Sequence, residues 1–416
     1  MNMKMEMSAA VNGPQRWQDI DFSKAERHIK KLQKQVSVAY CNDEFDRLKY
    51  IQHTLIHSFD AKALAVKVVT SNRGRNTPGI DGTLWVSPEE RYDAICLLCR
   101  RGYKPLPLRR IYIPKADGGV RPLSIPTMKD RAMQTLYKFA LEPIGWITAD
   151  PNSFAYLPRR DARMAIRRLG GLLSAPEAQW VMKADIKACF DSISHEWIMA
   201  HIPMDKIVLR KFLECGYVER SMCYPTERGV PQGGCISSVI CNMTLDGLEQ
   251  LLEERFGPAV HFVRYADDIV IVGQGRKILV QAVTPVIEDF LSERGLSLSK
   301  EKTGYYSAHA KIYFLGYEIC KEGDNFIAIP SRRSLDSLCE KVVSICSQGQ
   351  LSPGVMHNKL HQRVGGWLNY FAGIVPLQSL LDTEFEVVTL IQRLTRDRQL
   401  AVDTGKIFSR YEKFYL

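Results

Sequence analysis

No stretch of this chain approaches the roughly 18 consecutive apolar residues of a membrane-spanning helix, so an integral membrane protein is not expected. Residues 1–13 lack the apolar core of a secretory signal, which makes the cytoplasm the expected compartment. The 11 cysteines are scattered, and only Cys96 and Cys99 form a C-x-x-C pair. No second pair or histidine mate follows at zinc-finger spacing. Reduced, mostly buried thiols are therefore expected, not a zinc site or a disulfide framework. No internal repeat or low-complexity tract stands out either.

What is present suits a soluble globular protein: 416 residues, 45% hydrophobic and 25% charged. That length allows two or three domains, or one elongated domain with appendages. Lys and Arg exceed Asp and Glu by 10. The excess suits a polyanionic partner, with nucleic acid the first candidate.

From about residue 17 to 69, apolar residues recur at three- and four-residue steps. Ile29, Leu32, Val36, Leu48, Ile51, Leu55 and Ile56 predict helix. Residues 71–79, S-N-R-G-R-N-T-P-G, break any regular element. Their amides and two arginines could hold phosphate, or they could form a plain surface loop. Basic and aromatic residues interleave through 100–105 and 109–115, which suits single-stranded nucleic acid, or else a β-hairpin with a solvated charged face. Ala116-Asp117-Gly118-Gly119 is a turn signal between two short strands, the second beginning at Arg121. Helical patterning covers most of 130–173. Strand-like and helical segments then alternate at 180–186, 207–216, 236–254, 262–272 and 280–294, an α+β pattern. Beyond Pro330 the chain reads as helical, over 333–345 and from 355 to about 396.

The chemistry concentrates at Tyr265-Ala266-Asp267-Asp268, between the apolar runs His261-Phe262-Val263 and Ile269-Val270-Ile271-Val272. Such a pattern predicts a buried hairpin with two adjacent carboxylates at its turn. Burying one unpaired carboxylate is costly and a second repels it, so a compensating cation is expected. A third acid, Asp185, ends another apolar strand, Trp180-Val181-Met182-Lys183-Ala184. If the strands pair, three carboxylates converge as a nest for two Mg²⁺ ions, the arrangement of phosphoryl transfer. No His or Cys lies beside them to suggest zinc. Lys115 and Arg121 could supply cations for a triphosphate. In the loop Gly229-Val230-Pro231-Gln232-Gly233-Gly234, the glycines would allow close approach to a ligand and Gln232 would hydrogen-bond a sugar or base.

Further segments complete an ordered set: Thr77-Pro78-Gly79-Ile80-Asp81-Gly82, Ile113-Pro114-Lys115 with Arg121-Pro122-Leu123, and Ile125-Pro126-Thr127-Met128-Lys129-Asp130-Arg131-Ala132. Asp185-Ile186-Lys187-Ala188-Cys189-Phe190-Asp191, Pro231-Gln232-Gly233-Gly234 and Arg264-Tyr265-Ala266-Asp267-Asp268 follow, then Leu298-Ser299-Lys300-Glu301-Lys302-Thr303 and Phe314-Leu315-Gly316-Tyr317. In this order they resemble the reverse transcriptases of bacterial group II introns, over nearly the whole chain.

The resemblance implies an α+β right-hand polymerase. A helical N-terminal extension would occupy 1–70, fingers and palm 71–330, and a helical, maturase-like thumb 331–416. It implies Asp185, Asp267 and Asp268 as the catalytic acids that hold two Mg²⁺, with Ile186 in the metal-binding set. Lys115 and Arg121 would contact the triphosphate, Gln232 would lie beside the incoming nucleotide, and Phe190 would reject a ribose 2′-hydroxyl. Leu315-Gly316-Tyr317 matches the primer grip. Lys302 matches a proton donor to pyrophosphate, or is a simple strand-end lysine. The implied partners are an RNA template, a DNA or RNA primer and dNTPs, with no membrane.

The chain departs from the family pattern at Ser153-Phe154-Ala155-Tyr156-Leu157, where the family reads S-Y-G-F-R, and at Ser238, where it has proline. After Phe371 the basic helical signature gives way to Asp382, Glu384 and Glu386, and no His-Asn-His nuclease region is read there. These changes fall on RNA-gripping segments while the catalytic positions stand. The expected function is an RNA-directed DNA polymerase, working either for an intron without a nuclease or, as these changes favour, in a domesticated role such as anti-phage defence with a cognate non-coding RNA. The alternative is an intron-encoded maturase acting mainly as an RNA-binding splicing cofactor.

Overall fold

The seven apolar positions that recur through residues 17–69 are all buried. They lie on two helices, Phe22–Cys41 and Phe45–His57, and a third, Phe59–Ser71, follows within the stretch that the periodicity marks as helical. The breaks have local causes. Asp43 adopts a left-handed φ of 55° between the first two helices. Ser58 caps the third by accepting a hydrogen bond from the Ala61 amide at 3.2 Å. The computed structural model describes residues 14–114, 118–348 and 351–396. They form two compact units, one joining the chain up to Asp150 with Ile186–Leu248 and Glu288–Leu298, the other built from Pro151–Asp185, Glu249–Ile287 and Ser299 onward.

In the first unit the three helices pack around the long helix Met128–Thr148, which is buried along most of its length. Strands β1 (Leu108–Pro114) and β2 (Val120–Ile125) form an antiparallel hairpin, with Arg109 opposite Ile125. Its outer end is exposed. Arg110 also stacks over the Tyr217 ring at 4.0 Å. The loop over 71–79 is held from beneath. Buried Arg131 donates to the carbonyls of Pro126 (2.9 Å), Gly74 (3.0 Å) and Thr77.

Strand β3 (Trp180–Asp185) belongs to the second unit, whereas β4 (Tyr217–Glu219) and β5 (Met222–Tyr224) extend the β1–β2 sheet. The second unit is built on β6 (Val260–Tyr265), β7 (Asp268–Gly273) and β8 (Gly304–Ser307), in the order β6-β7-β3-β8. Helix Ala162–Leu173 packs on it through Ile166 and Leu169, in one core with Val263, Val270 and Val272. A meander, β9 (Ile312–Phe314), β10 (Tyr317–Glu322) and β11 (Asn325–Pro330), leads into helices Arg332–Cys346, Pro353–Phe371 and Leu377–Arg396. Leu338, Met356, Leu360, Val364 and Val387 bury these helices in that same core. Each such side chain contributes about 1.5–3 kcal/mol, which keeps the strand ends rigid enough to carry charged residues.

The cysteines correct an expectation. All are free, but only Cys189, Cys241 and Cys346 are buried; Cys41, Cys96, Cys99 and Cys223 are exposed. The C-x-x-C pair sits at the end of helix Pro88–Leu97, where the Cys99 thiol donates to the Cys96 carbonyl at 3.3 Å. No described helix is long and apolar enough to cross a membrane.

Candidate active site

Strands β6 and β7 pair so that Tyr265 faces Asp268, leaving Ala266 and Asp267 as a two-residue turn. Ala266 pays the conformational cost of that turn, with φ at 57°, a region that disfavours any residue with a Cβ by about 1–2 kcal/mol. On its other side β7 pairs with β3, and the register sets Asp185 directly opposite Asp268. Directly opposed residues of such a pair have Cβ atoms about 4.5–5.5 Å apart, so two acids there repel. Burial pushes Asp268 up to about 6; Lys183 pulls it back, while Asp267 and Asp185 push it further. At neutral pH Asp268 is still mostly ionised, but burial and the two neighbouring acids oppose that ionisation.

Lys302 answers part of this charge. Its Nζ donates to Asp185 Oδ2 at 3.0 Å, and that bond raises the lysine's own pKa. The Ser299 amide donates to the Asp185 carbonyl at 2.8 Å, tying the lysine's segment to the end of β3. The donor set is three carboxylates, hard oxygen ligands with surplus negative charge, and it suits a divalent cation such as Mg²⁺ or Mn²⁺. Among the described residues, no three His, Cys, Asp or Glu side chains are gathered tightly enough to enclose an ion as they stand. Ile186 is 1% exposed and has no side-chain donor, so only its carbonyl could serve a cation.

Arg264, not singled out by the sequence reading, lies beneath the acidic turn with 0% exposure. Its Nη1 reaches the Ala266 carbonyl at 3.5 Å. Its backbone bonds Asn152 and Phe154, each at 2.9 Å, so the divergent 153–157 segment begins as a strand-like partner of β6. Arg160 secures that segment by donating to the Pro151 carbonyl at 3.1 Å and the Ser153 carbonyl at 2.6 Å. A charged residue inside an apolar strand gives no sequence signal of which way it points.

Leu315 and Gly316 form the turn between β9 and β10, with φ of 49° and 82°. Positive φ at both positions matches a tight hairpin of type I′. Helix Pro353–Phe371 anchors this turn from both ends of one tyrosine. Tyr370 donates its hydroxyl to the Leu315 carbonyl and its own carbonyl accepts from the Tyr317 hydroxyl, both at 2.8 Å. Burial pushes the Tyr370 hydroxyl up to about 12, so it stays a donor.

In the first unit a second group assembles. The Phe190 carbonyl accepts from the Val230 amide at 2.6 Å, which seats the P-Q-G-G loop on helix Cys189–Ser192. The Gln232 amide is engaged at both ends: Oε1 accepts from Arg121 Nε at 2.7 Å, and Nε2 donates to Asp191 Oδ2 at 2.8 Å. Asp191, which the sequence shows only as the last residue of its motif, takes a role from this contact. The loop's glycines serve a different neighbour from the one expected. Gly233 has φ of 115°, and a Cβ there would stand 2.7 Å from the Ser124 carbonyl of β2, so the close approach is to the protein's own strand. Gln134, on helix Met128–Thr148, accepts from the Cys235 amide at 2.8 Å and fixes the end of the loop. Lys115 lies outside the described residues.

A family model described as reverse transcriptase (RNA-dependent DNA polymerase) matches residues 113–319, and one described as the N-terminal domain of reverse transcriptase matches 17–98. Protein YkfC of Escherichia coli is 27% identical over 346 residues, 72% of this chain and 90% of that protein. The group II intron-encoded protein LtrA of Lactococcus lactis is 28% identical over 335 residues, 62% of this chain but 55% of LtrA. Maturase-like protein 1 of Euglena gracilis is 24% identical over 369 residues, 85% of this chain and 77% of the relative. A solved structure of apo telomerase from Candida tropicalis aligns at TM-score 0.45 and 15% identity, over 76% of this chain and 61% of that one. The chain belongs to the reverse transcriptases of the group II intron-like type, enzymes that polymerise DNA on RNA.

Proposed function

We propose that Asp185, Asp267 and Asp268 hold two Mg²⁺ ions for nucleotidyl transfer to a DNA or RNA primer paired with an RNA template. The register that sets Asp185 opposite Asp268 carries this reading. When bound, the ions acidify the primer 3′-hydroxyl and neutralise the triphosphate and the departing pyrophosphate. The chain's own groups orient the reactants. Lys115 and Arg121 bind the triphosphate of the dNTP, and Gln232, clamped between Arg121 and Asp191, presents a fixed amide to the sugar. Leu315-Gly316-Tyr317 holds the primer end through a turn tied to Tyr370. Lys302, fully protonated beside Asp185, is placed to give a proton to pyrophosphate. We read residues 1–70 as the N-terminal extension, 71–330 as fingers and palm, and 331–416 as thumb. Poly(rA) primed with oligo(dT) should be extended with dTTP and Mg²⁺; no product under any divalent cation would overturn the reading.

Two substitutions test the nucleotide contacts. Phe190→Ala removes the ring assigned to sugar discrimination, so incorporation of ribonucleotides should rise at least tenfold relative to dNTPs. An unchanged ratio removes Phe190 from that role. Asp191→Ala frees one end of the Gln232 amide. The KM for dNTP should rise about tenfold with kcat little altered, and Asp191→Asn, which keeps an acceptor oxygen, should restore most of it. Equal KM values in all three proteins would show that Asp191 does not position Gln232.

For the biological role we propose a domesticated reverse transcriptase serving anti-phage defence with a cognate non-coding RNA. The departures at 153–157 and beyond Phe371 support it. The Euglena maturase-like relative supports a second reading, an RNA-binding splicing cofactor. Sequencing the RNA and cDNA that co-purify from the host separates them. One short repeated cDNA favours defence, and intron RNA without cDNA favours splicing.

A further inference from the structure

A pocket of about 580 Å³ opens in the first unit between helix Phe45–His57, helix Met128–Thr148, the turn at Arg100-Arg101 and residues 203–206. It shares no residue with the Arg121–Gln232–Asp191 group. Its volume falls in the range of small-molecule and cofactor sites, about 300–1,000 Å³. The floor is apolar, formed by Leu48, Ile56, Ala140 and Met204. Gln52 braces the walls by donating to the carbonyls of Ala140 (3.2 Å) and Pro203 (3.0 Å), so the cavity is preformed.

One polar group in it is unexplained. Tyr137 is 3% exposed and lines the pocket, yet its buried hydroxyl makes no hydrogen bond. Its ring is fixed edge-on against Phe212, with centroids 5.9 Å apart. Buried hydroxyls are nearly always paired, because leaving one unpaired forfeits its hydration. The rim is basic. Lys49 pairs with Asp46, Arg100 with Asp205, and Lys206 donates to the Ile202 carbonyl. Arg101 has no ion pair among the described residues. His53 and His57 stack at the edge with ring centroids 3.9 Å apart, offering a flat face.

We infer that this pocket binds a nucleobase carrying a phosphate. The apolar floor and the stacked imidazoles accept the base, the Tyr137 hydroxyl donates to a base oxygen or ring nitrogen, and Arg101 meets the phosphate. A hydrocarbon ligand would leave the hydroxyl unpaired, and a simple anion would leave the floor bare. The same chemistry has two sources, a free nucleotide or an unpaired residue of an RNA strand.

The full chain should be titrated with each of the four ribonucleoside monophosphates and with a single-stranded RNA hexamer. Wild type, Tyr137→Phe and Arg101→Ala are compared. At least one monophosphate should bind saturably, about tenfold more weakly to each variant. If only the hexamer binds, with the same losses, the site takes a strand residue. Tyr137→Phe should melt no lower than wild type, since it removes an unpaired hydroxyl, and should extend primers normally. Affinity undiminished in either variant, the absence of binding by both probes, or a lower melting temperature in Tyr137→Phe would overturn the assignment.

Discussion

An Asp267→Ala/Asp268→Ala variant should extend no primer, with synthesis down at least about 10³-fold. The figure follows from removing two of the three groups proposed to hold the charge-neutralising ions, when loss of a single preorganised electrostatic contact already costs about 10²–10³. Unfolding cannot account for such a loss here. Asp268 is an acid whose ionisation burial and its neighbours oppose, and Asp267 adds to that opposition. Their removal relieves repulsion, so the variant should melt at or above the wild-type temperature in metal-free buffer. Millimolar Mg²⁺ should then raise the wild-type melting temperature, because a ligand that binds only the folded state stabilises it, and should leave the variant unmoved. Undiminished synthesis by the variant would sink the carboxylate assignment. An equal Mg²⁺ response in both proteins would place the ions elsewhere.

The parts of the site that were legible in the sequence share a physical cause. The doublet hairpin announces itself because β6 and β7 are apolar on both sides of two acids, and polar atoms in such a setting need an external partner. Asp185 was legible for the same reason, and the observed register places it where the charge argument required. The N-terminal helices were legible through the 3.6-residue period, although their breaks at Asp43 and Ser58 were not, since a left-handed residue and a cap leave the apolar spacing intact. What escaped depends on partners remote in sequence. Gly233 accommodates Ser124, Arg131 binds Gly74 and Thr77, and Asp191 orients Gln232. None of these pairs lies within one element, so neither periodicity nor spacing encodes them. The exposed cysteines escaped for another reason, because thiols follow hydrophobic composition only on average.

Arg264→Ala should cost about 3 kcal/mol or more, lowering the melting temperature by roughly 6–12 °C. The residue is wholly buried within β6, and its guanidinium reaches the carbonyl of Ala266, whose left-handed φ is needed for the two-residue turn. Truncation leaves a cavity the size of a long side chain and strips a donor from a buried carbonyl at the most strained point of the hairpin. A buried cation can nonetheless be replaced by an apolar chain of similar volume without loss, because its own desolvation is expensive. Arg264→Met separates the two contributions. If filling the space were all that mattered, Met would melt like wild type and polymerise like it. If the guanidinium holds the turn, Met should recover much of the stability lost by Ala while synthesis per folded molecule stays at least tenfold down, because Asp267 and Asp268 hang from that turn. Wild-type activity in Arg264→Met would reduce Arg264 to packing. Wild-type melting in Arg264→Ala would remove it from the support of the site altogether.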